Sequence, residues 1–187
     1  EGIFARVLKE GYLRAGDLLY YEPKIHKALV ITLSTRAYKG VYEDKSGKII
    51  QEQLTSYYQK NNYLHEIDYI LIPDDENMLK STIEKAISNL TDIIITTGGT
   101  GISPHDITIE TIQPLLSKEI PGIMEYIRMK YGQQKPQALL SRSIAGIINK
   151  TQIYCLPGSS KAAIEYITEI LPHYQHILRM LYGIDEH

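Results

Sequence analysis

Apolar positions along the chain switch between two periods, and that switching sets the expected architecture. Residues 28–33, Ala-Leu-Val-Ile-Thr-Leu, form a nearly continuous apolar run, as a strand covered on both faces requires. Residues 49–58 place Ile49, Ile50, Leu54, Tyr57 and Tyr58 at helical spacing just after Gly47. Strand 69–72, helix 77–90 and strand 92–97 follow. Helical stretches at 107–116 and 122–131, a strand at 152–156 and a helix at 160–171 complete the series. Pro172 is expected to divide that helix from a last one ending near Tyr182. Repeated strand–helix–strand units of this length call for right-handed crossovers and an open, doubly wound α/β sheet.

Before residue 25 the pattern is different. Residues 3–8 and 17–21 read as two short extended pieces separated by Gly11 and Gly16. Two strands are too few to stand alone, so residues 1–24 are assigned to a remnant plus linker and residues 25–187 to the main domain. The segment EGIFARVLKEGYLRAGDLLYYEP resembles the closing stretch of a MOSC domain, a sulfur-carrier module of molybdenum enzymes. A hairpin native to the main domain is the alternative.

Composition narrows the partners. Of the 187 residues, 43% are hydrophobic and 22% charged, as in ordinary globular proteins, and no apolar run approaches the ~18 residues a membrane span needs. A formal charge of -2, with no local basic patch, argues against nucleic acid as a partner. Cys155 is the only cysteine, so no internal disulfide can form and the cytoplasm is the expected compartment. It lies in an apolar strand and reads as a core residue. The six histidines show no metal-ligand spacing. The first residues have neither the basic start nor the apolar core of a secretory signal, and a longer gene product is expected.

In open α/β sheets, ligands bind beyond the carboxyl ends of the strands. The loops to inspect are therefore 34–47, 73–76, 98–106 and 157–161, each running toward a helix start where free N–H groups favour anions. The third, in IIITTGGTGISPHD, carries three glycines that can turn N–H groups toward a phosphate, with hydroxyls at Thr96, Thr97, Thr100 and Ser103. It is not a Walker A loop, for no Gly-Lys-Ser/Thr follows, and it lacks the Rossmann glycine spacing.

Residues 91–111, TDIIITTGGTGISPHDITIET, resemble the signature of the MogA/MoaB family of molybdenum cofactor biosynthesis proteins. Further matching pieces are GVYEDKSG at 40–47, LIPDD at 71–75, Pro121-Gly122, LSRS at 140–143, Ala145-Gly146 and LPGS at 156–159. The resemblance implies a Rossmann-like, three-layer, doubly wound and mostly parallel α/β fold. It also implies a homotrimer that binds molybdopterin and, in catalytic members, uses ATP and Mg2+ to adenylylate it, with no covalent nucleophile required and a downstream metal-insertion enzyme to take the product. Carried over by position, Thr97, Gly98, Gly99, Thr100, Gly101 and Ser103 would bind molybdopterin together with Ser141, Arg142, Ser143, Pro157, Gly158 and Ser159. Asp44, Lys45, Ser46 and Gly47 match the nucleotide loop.

Asp74 and Asp106 match the two catalytic carboxylates, which would hold magnesium directly or through water. Each also has a structural reading: Asp74 or Asp75 as the cap of the next helix, and Asp106 as the cap of the helix beginning at Ile107. Arg142 suits either a surface salt bridge or bidentate phosphate binding, and Lys161 either solvent or an anion. Three positions depart from the family: His105 where Arg is common, Ser160 for Pro, and Ile123-Met124 for aromatic-Gly. A binding-only subunit, or an interaction module of a MOSC fusion, is the competing reading.

Overall fold

The computed structural model describes residues 9–18 and 20–184. One six-stranded sheet organises them, with strands β1 (Ile25–Leu33), β2 (Leu64–Ile72), β3 (Ile93–Thr97), β4 (Lys118–Glu119), β5 (Ala145–Ile148) and β6 (Thr151–Leu156) in the order β2-β1-β3-β6-β5-β4. The pairs β1–β2, β1–β3 and β3–β6 are parallel, whereas β5 and β4 close the far edge antiparallel.

Two cores flank the sheet. On one face α2 (Ser46–Lys60), α5 (Pro121–Gly132) and α6 (Ser160–Leu181) bury Ile50, Leu54, Tyr58, Met124, Ile127 and Ile167 against Val30, Ile93, Ile95 and Tyr154. On the other, α3 (Glu76–Ser88) and α4 (Thr108–Ile112) bury Leu79, Ile83, Ile109 and Ile112 against Leu29, Ile31, Ile94 and Ile153. This is the expected three-layer, doubly wound and mostly parallel arrangement. Alternate β3 residues feed the two cores, which is why the whole strand is apolar or Thr and fully buried. The chain leaves β1 for β2 on one side and returns to β3 on the other. The crevice above the carboxyl ends of β1 and β3 is therefore a topological switch point.

Several elements differ from the sequence reading. Pro172 does not divide the last helix: α6 runs through it for 22 residues. Ala163, Tyr166, Ile167, Ile170 and Leu171 precede the proline on the core face and Tyr174 and Leu178 follow it, while Pro172 itself faces solvent. Burial of both halves on one sheet face outweighs the ~3 kcal/mol an interior proline costs. The helix expected at 107–116 shortens to α4 and passes into a 3-10 turn, Gln113–Leu115, because Pro114 has no N–H to continue the ladder. β2 begins at Leu64, earlier than the apolar run suggests, and alternates exposed with half-buried positions as an edge strand does.

The extended piece expected at 17–21 forms no strand at its described positions. Instead, the Arg14 N–H donates to Asp17 Oδ2 at 2.8 Å, closing a turn over Gly16, whose φ is +99°. The piece at 3–8 lies outside the described residues. No helix among the described residues is long and apolar enough to cross a membrane.

Candidate functional site

The loops singled out by sequence do meet above the sheet. Gly98 stands at φ +104°, and a Cβ there would lie 2.2 Å from the Leu33 carbonyl oxygen at the end of β1. Its own N–H donates to the Leu156 carbonyl of β6 at 3.0 Å. Gly99, at φ +62°, leaves room for Thr108, whose hydroxyl donates to the Gly98 carbonyl at 2.8 Å. Gly158 packs directly on Gly98, where an added Cβ would sit 3.2 Å from the Gly98 Cα. The Thr97 hydroxyl donates to the Pro157 carbonyl at 2.9 Å. The loops after β3 and β6 are thus one tightly apposed unit, and glycine is required there by contact as well as by torsion angle.

Beside this unit lies a cavity of about 520 Å3, lined by Thr32, Leu33, Ser34, Tyr42, Glu43, Asp44, Lys45, Ser46, Thr97, Gly158, Ser159 and Ser160. It sits over the switch point and joins the predicted nucleotide loop to Thr97 and the 158–160 segment. Ser159 caps α6, its Oγ accepting from the Ala162 N–H at 3.2 Å. The N–H groups of Ser160 and Lys161, at the first turn of the helix, have no intrahelical acceptor and present the positive end of the helix dipole there. Lys161 lies 3.7 Å from Glu165, a helical i,i+4 pair in which the lysine is exposed and the glutamate half-buried.

Asp44 has a different role from direct ligand contact. It is buried and accepts from Thr32 Oγ1 at 2.7 Å, Tyr69 Oη at 2.8 Å, Ser46 Oγ at 2.9 Å, and the backbone N–H groups of Ser46 and Gly47. Burial alone would raise its pKa; the bonds from Thr32, Tyr69, Gly47 and Ser46 outweigh it and hold the carboxyl below its ordinary value. The Tyr69 phenol is pushed up to about 12 by burial and by its bond to Asp44. Gly47 has no room for a side chain: a Cβ would fall 2.3 Å from Asp44 Oδ2 and 2.5 Å from Thr32 Oγ1. Asp44, Ser46 and Gly47 build the loop, and exposed Lys45 is its free charge at the cavity.

The two candidate carboxylates are placed by their loops rather than by helix caps. Asp75, not Asp74, caps α3, accepting from the Met78 N–H at 2.8 Å. Asp74 Oδ2 instead accepts from the Thr35 N–H at 2.9 Å and the Thr35 hydroxyl at 2.7 Å, tying the end of β2 to the end of β1. Asp106 Oδ2 accepts from the Ser103 N–H at 2.8 Å, and Ile107, with no side-chain bond, is the N-cap of α4. Neither Oδ1 atom accepts a hydrogen bond among the described residues, so each carboxylate is fixed by one oxygen and keeps the other available. Asp74 and Asp106 lie in the loops after β2 and β3, the two neighbours of β1, and neither lines the cavity.

Arg142 fulfils the salt-bridge reading. Its guanidinium pairs with Glu110, its Nε donates to the Gly101 carbonyl at 2.7 Å, and its backbone N–H donates to the Thr100 carbonyl at 3.0 Å. The Arg142 bond holds the Glu110 carboxyl below its ordinary value. Ser141 and Ser143 share a hydroxyl–hydroxyl bond of 2.7 Å, and Ser143 is buried. Arg142 and the two serines line a second cavity, of about 280 Å3, with Arg128 and Glu119. The predicted residues therefore divide into two groups, one on each side of the glycine turn.

Sequence reasoning missed Thr32, Ser34, Thr35 and Tyr69. The first three follow the pattern of a hydroxyl run, TLST, closing an apolar strand, and that signal was available. Tyr69 is separated from Asp44 by 25 residues, and only the β1–β2 pairing brings them together.

Comparison with known proteins agrees with this geometry. Residues 29–176 match the family described as "Probable molybdopterin binding domain". A molybdopterin adenylyltransferase of Helicobacter pylori is 38% identical over 155 residues, spanning 82% of this chain and 86% of that protein. A molybdenum cofactor biosynthesis bifunctional protein of Chlorobaculum tepidum is 33% identical over 164 residues, 87% of this chain but only 50% of that protein. Among solved structures, the tungsten cofactor synthesizing protein MoaB of Pyrococcus furiosus superposes with a TM-score of 0.75 at 37% identity, over 86% of this chain and 99% of that one. With the match spanning nearly the whole sheet and every loop above it, the chain belongs to the molybdopterin-binding domain family of molybdenum cofactor biosynthesis proteins, the MogA/MoaB proteins.

Proposed function

We propose that this chain is a molybdopterin adenylyltransferase, transferring AMP from ATP to the terminal phosphate of molybdopterin. The carrying observation is the cavity over the switch point. Lys45, the N-terminus of α6 and the hydroxyls of Ser34, Ser159 and Ser160 converge there on a space of about 520 Å3. Such a set suits a polyphosphate: one flexible cation, one helix dipole and several neutral donors. The relative of the same name in H. pylori supports the reading.

In the reaction an oxygen of the pterin's phosphate attacks the α-phosphorus of ATP. The bond from that phosphorus to the bridging oxygen breaks, and pyrophosphate leaves with the electron pair. The chain's contribution is positioning and charge neutralisation, with no covalent nucleophile. Lys45 and the α6 N-terminus bind the nucleotide, with Asp44, Ser46 and Gly47 holding the loop that carries Lys45. Thr97, Gly98, Gly99, Thr100, Gly101 and Ser103 form the wall toward molybdopterin, continued by Pro157, Gly158 and Ser159. Ser141, Arg142 and Ser143 bound its far side, Arg142 also bracing the turn through Glu110.

Asp74 and Asp106 are the residues that would hold magnesium. The fit rests on their free Oδ1 atoms, and among the described residues no cluster of three or more His, Cys, Asp or Glu offers an all-protein cage. Magnesium commonly takes only one or two carboxylates, filling its shell with water and phosphate oxygens. When bound, it would offset the repulsion between the two phosphate chains.

We further read this domain as a homotrimer, and residues 1–24 as the end of a MOSC-like unit. Tyr12, Leu13, Leu18, Tyr20 and Tyr21 are largely exposed, as apolar residues from a segment belonging to another unit would be. A downstream metal-insertion enzyme would take the adenylylated product.

The test is incubation with molybdopterin, MgATP and protein, followed by mass spectrometry for adenylylated pterin. Product from the wild type, reduced about a hundredfold in Asp74→Asn and in Asp106→Asn, is the expected result. Tight pterin binding without product would assign a carrier role and leave both aspartates as loop ties.

A further inference from the structure

The cavity lining is mostly polar, and among the described residues that form it Tyr42 is the only aromatic side chain. The ring is about half exposed and is held from two directions. Its hydroxyl bonds Ser34 Oγ at 2.7 Å, and that same oxygen accepts from the Ala37 N–H at 3.2 Å as the N-cap of α1 (Thr35–Tyr38). The Arg36 guanidinium lies over the ring, 5.4 Å from its centroid. Tyr42 lines the cavity and Arg36 does not.

The segment carrying the ring is closed on itself. The Gly40 N–H donates to the Ala37 carbonyl at 2.9 Å and the Val41 N–H to the Arg36 carbonyl at 3.0 Å, with Gly40 at φ +72°. An exposed tyrosine without a ligand gains little from such fixing. A flat partner does gain, because a ring already held in place loses less freedom on stacking.

The anion-binding features of the cavity, Lys45 and the start of α6 at Ser159 and Ser160, leave the heterocycle of a bound nucleotide only one apolar flat surface on which to rest. We propose that Tyr42 is the platform on which the nucleotide base stacks, and that it sets a preference for purine over pyrimidine triphosphates by the larger area a purine covers. This rests on the adenylyltransferase reading and specifies the base subsite of the same site.

The experiment measures binding of 2-aminopurine riboside triphosphate with magnesium, following the fluorescence quenching that stacking produces, with displacement by ATP, CTP and tripolyphosphate. In the wild type, quenching and a lower dissociation constant for ATP than for CTP are expected. Tyr42→Leu should lose most of the quenching, weaken ATP about tenfold and bring ATP and CTP together, while leaving tripolyphosphate unchanged. Tyr42→Phe should retain the quenching, which separates the ring from its tether and from any general loss of folding. Undiminished quenching and ATP preference in Tyr42→Leu would overturn the stacking assignment and leave the transferase reading intact. Failure of the wild type to bind either ATP or tripolyphosphate would overturn both.

Discussion

Asp44 receives hydrogen bonds from five donors and is exposed by only 7%, so its ionisation is coupled to the stability of the loop it organises. Its folded pKa is depressed. The stabilisation is therefore present above the ordinary carboxylate value of about 3.9 and is lost as pH falls through the lower folded value. Asp44→Asn should cost about 2–3 kcal/mol near neutrality, since it removes the charge and turns an amide toward groups that donate. In urea titrations at descending pH, the gap between wild type and variant should narrow below about pH 4. A gap that stays constant to pH 2 would show that the charge is not what holds the loop. The sequence offered Asp44 as part of a nucleotide loop but not as a buried anchor. The distinction depends on Thr32 and Tyr69, and neither is near it in sequence.

The elements were legible where local pattern and tertiary demand coincide. β1 and β3 are buried on both faces, and their apolar runs say so. β2 lies at the edge, and its first half, LHEID, alternates too weakly to stand out from a loop. β5 was missed because its four residues are joined to β6 by the two-residue turn Asn149-Lys150, with Asn149 at φ +56° and no glycine to signal it. Proline gave opposite outcomes: Pro114 ends α4, which is short and has little beyond it to bury, whereas Pro172 sits within a helix pinned on both sides. Relieving that defect should show. Pro172→Ala restores an N–H toward the Thr168 carbonyl and should raise unfolding free energy by about 1–3 kcal/mol. Denaturant unfolding with an unchanged slope and a higher midpoint is the expected signature. No gain would mean that the helix geometry at Pro172 is itself needed by the packing of Leu171 and Tyr174.

At the scale of the whole molecule, the site comes from convergence. Its loops follow β1, β2, β3 and β6, and the strand order brings them side by side although residues 34 and 159 are far apart in the chain. Sequence could nominate each loop, because glycine, aspartate and hydroxyl residues cluster after apolar runs. It could not say that Arg142, Ser141 and Ser143 would stand on the opposite side of the glycine turn from Lys45, since that division depends on β5 entering the sheet antiparallel beside β6.

The same side of the molecule carries the apolar surface on which assembly would depend. Tyr126 and Met129 on α5 are 54% and 67% exposed, and Leu139 and Leu140, in the 3-10 turn Pro136–Leu140 packed against that helix, are 55% and 59% exposed. Gly132 allows this packing, since a Cβ there would fall 2.6 Å from Leu139 Cδ2. Four large apolar side chains in neighbouring elements are more than scattered surface residues, and an interface between copies would remove them from water. In the proposed trimer, a three-fold ring, the patch meets a different surface of the next copy, whereas a two-fold dimer would set it against itself. Light scattering should give three times the monomer mass. Met129→Glu, which buries a charge at that contact, should shift the population to monomer at micromolar concentration while leaving the circular dichroism spectrum unchanged. A wild-type monomer at every concentration would remove the trimer from the proposal, and a trimer untouched by Met129→Glu would place the interface elsewhere on the molecule.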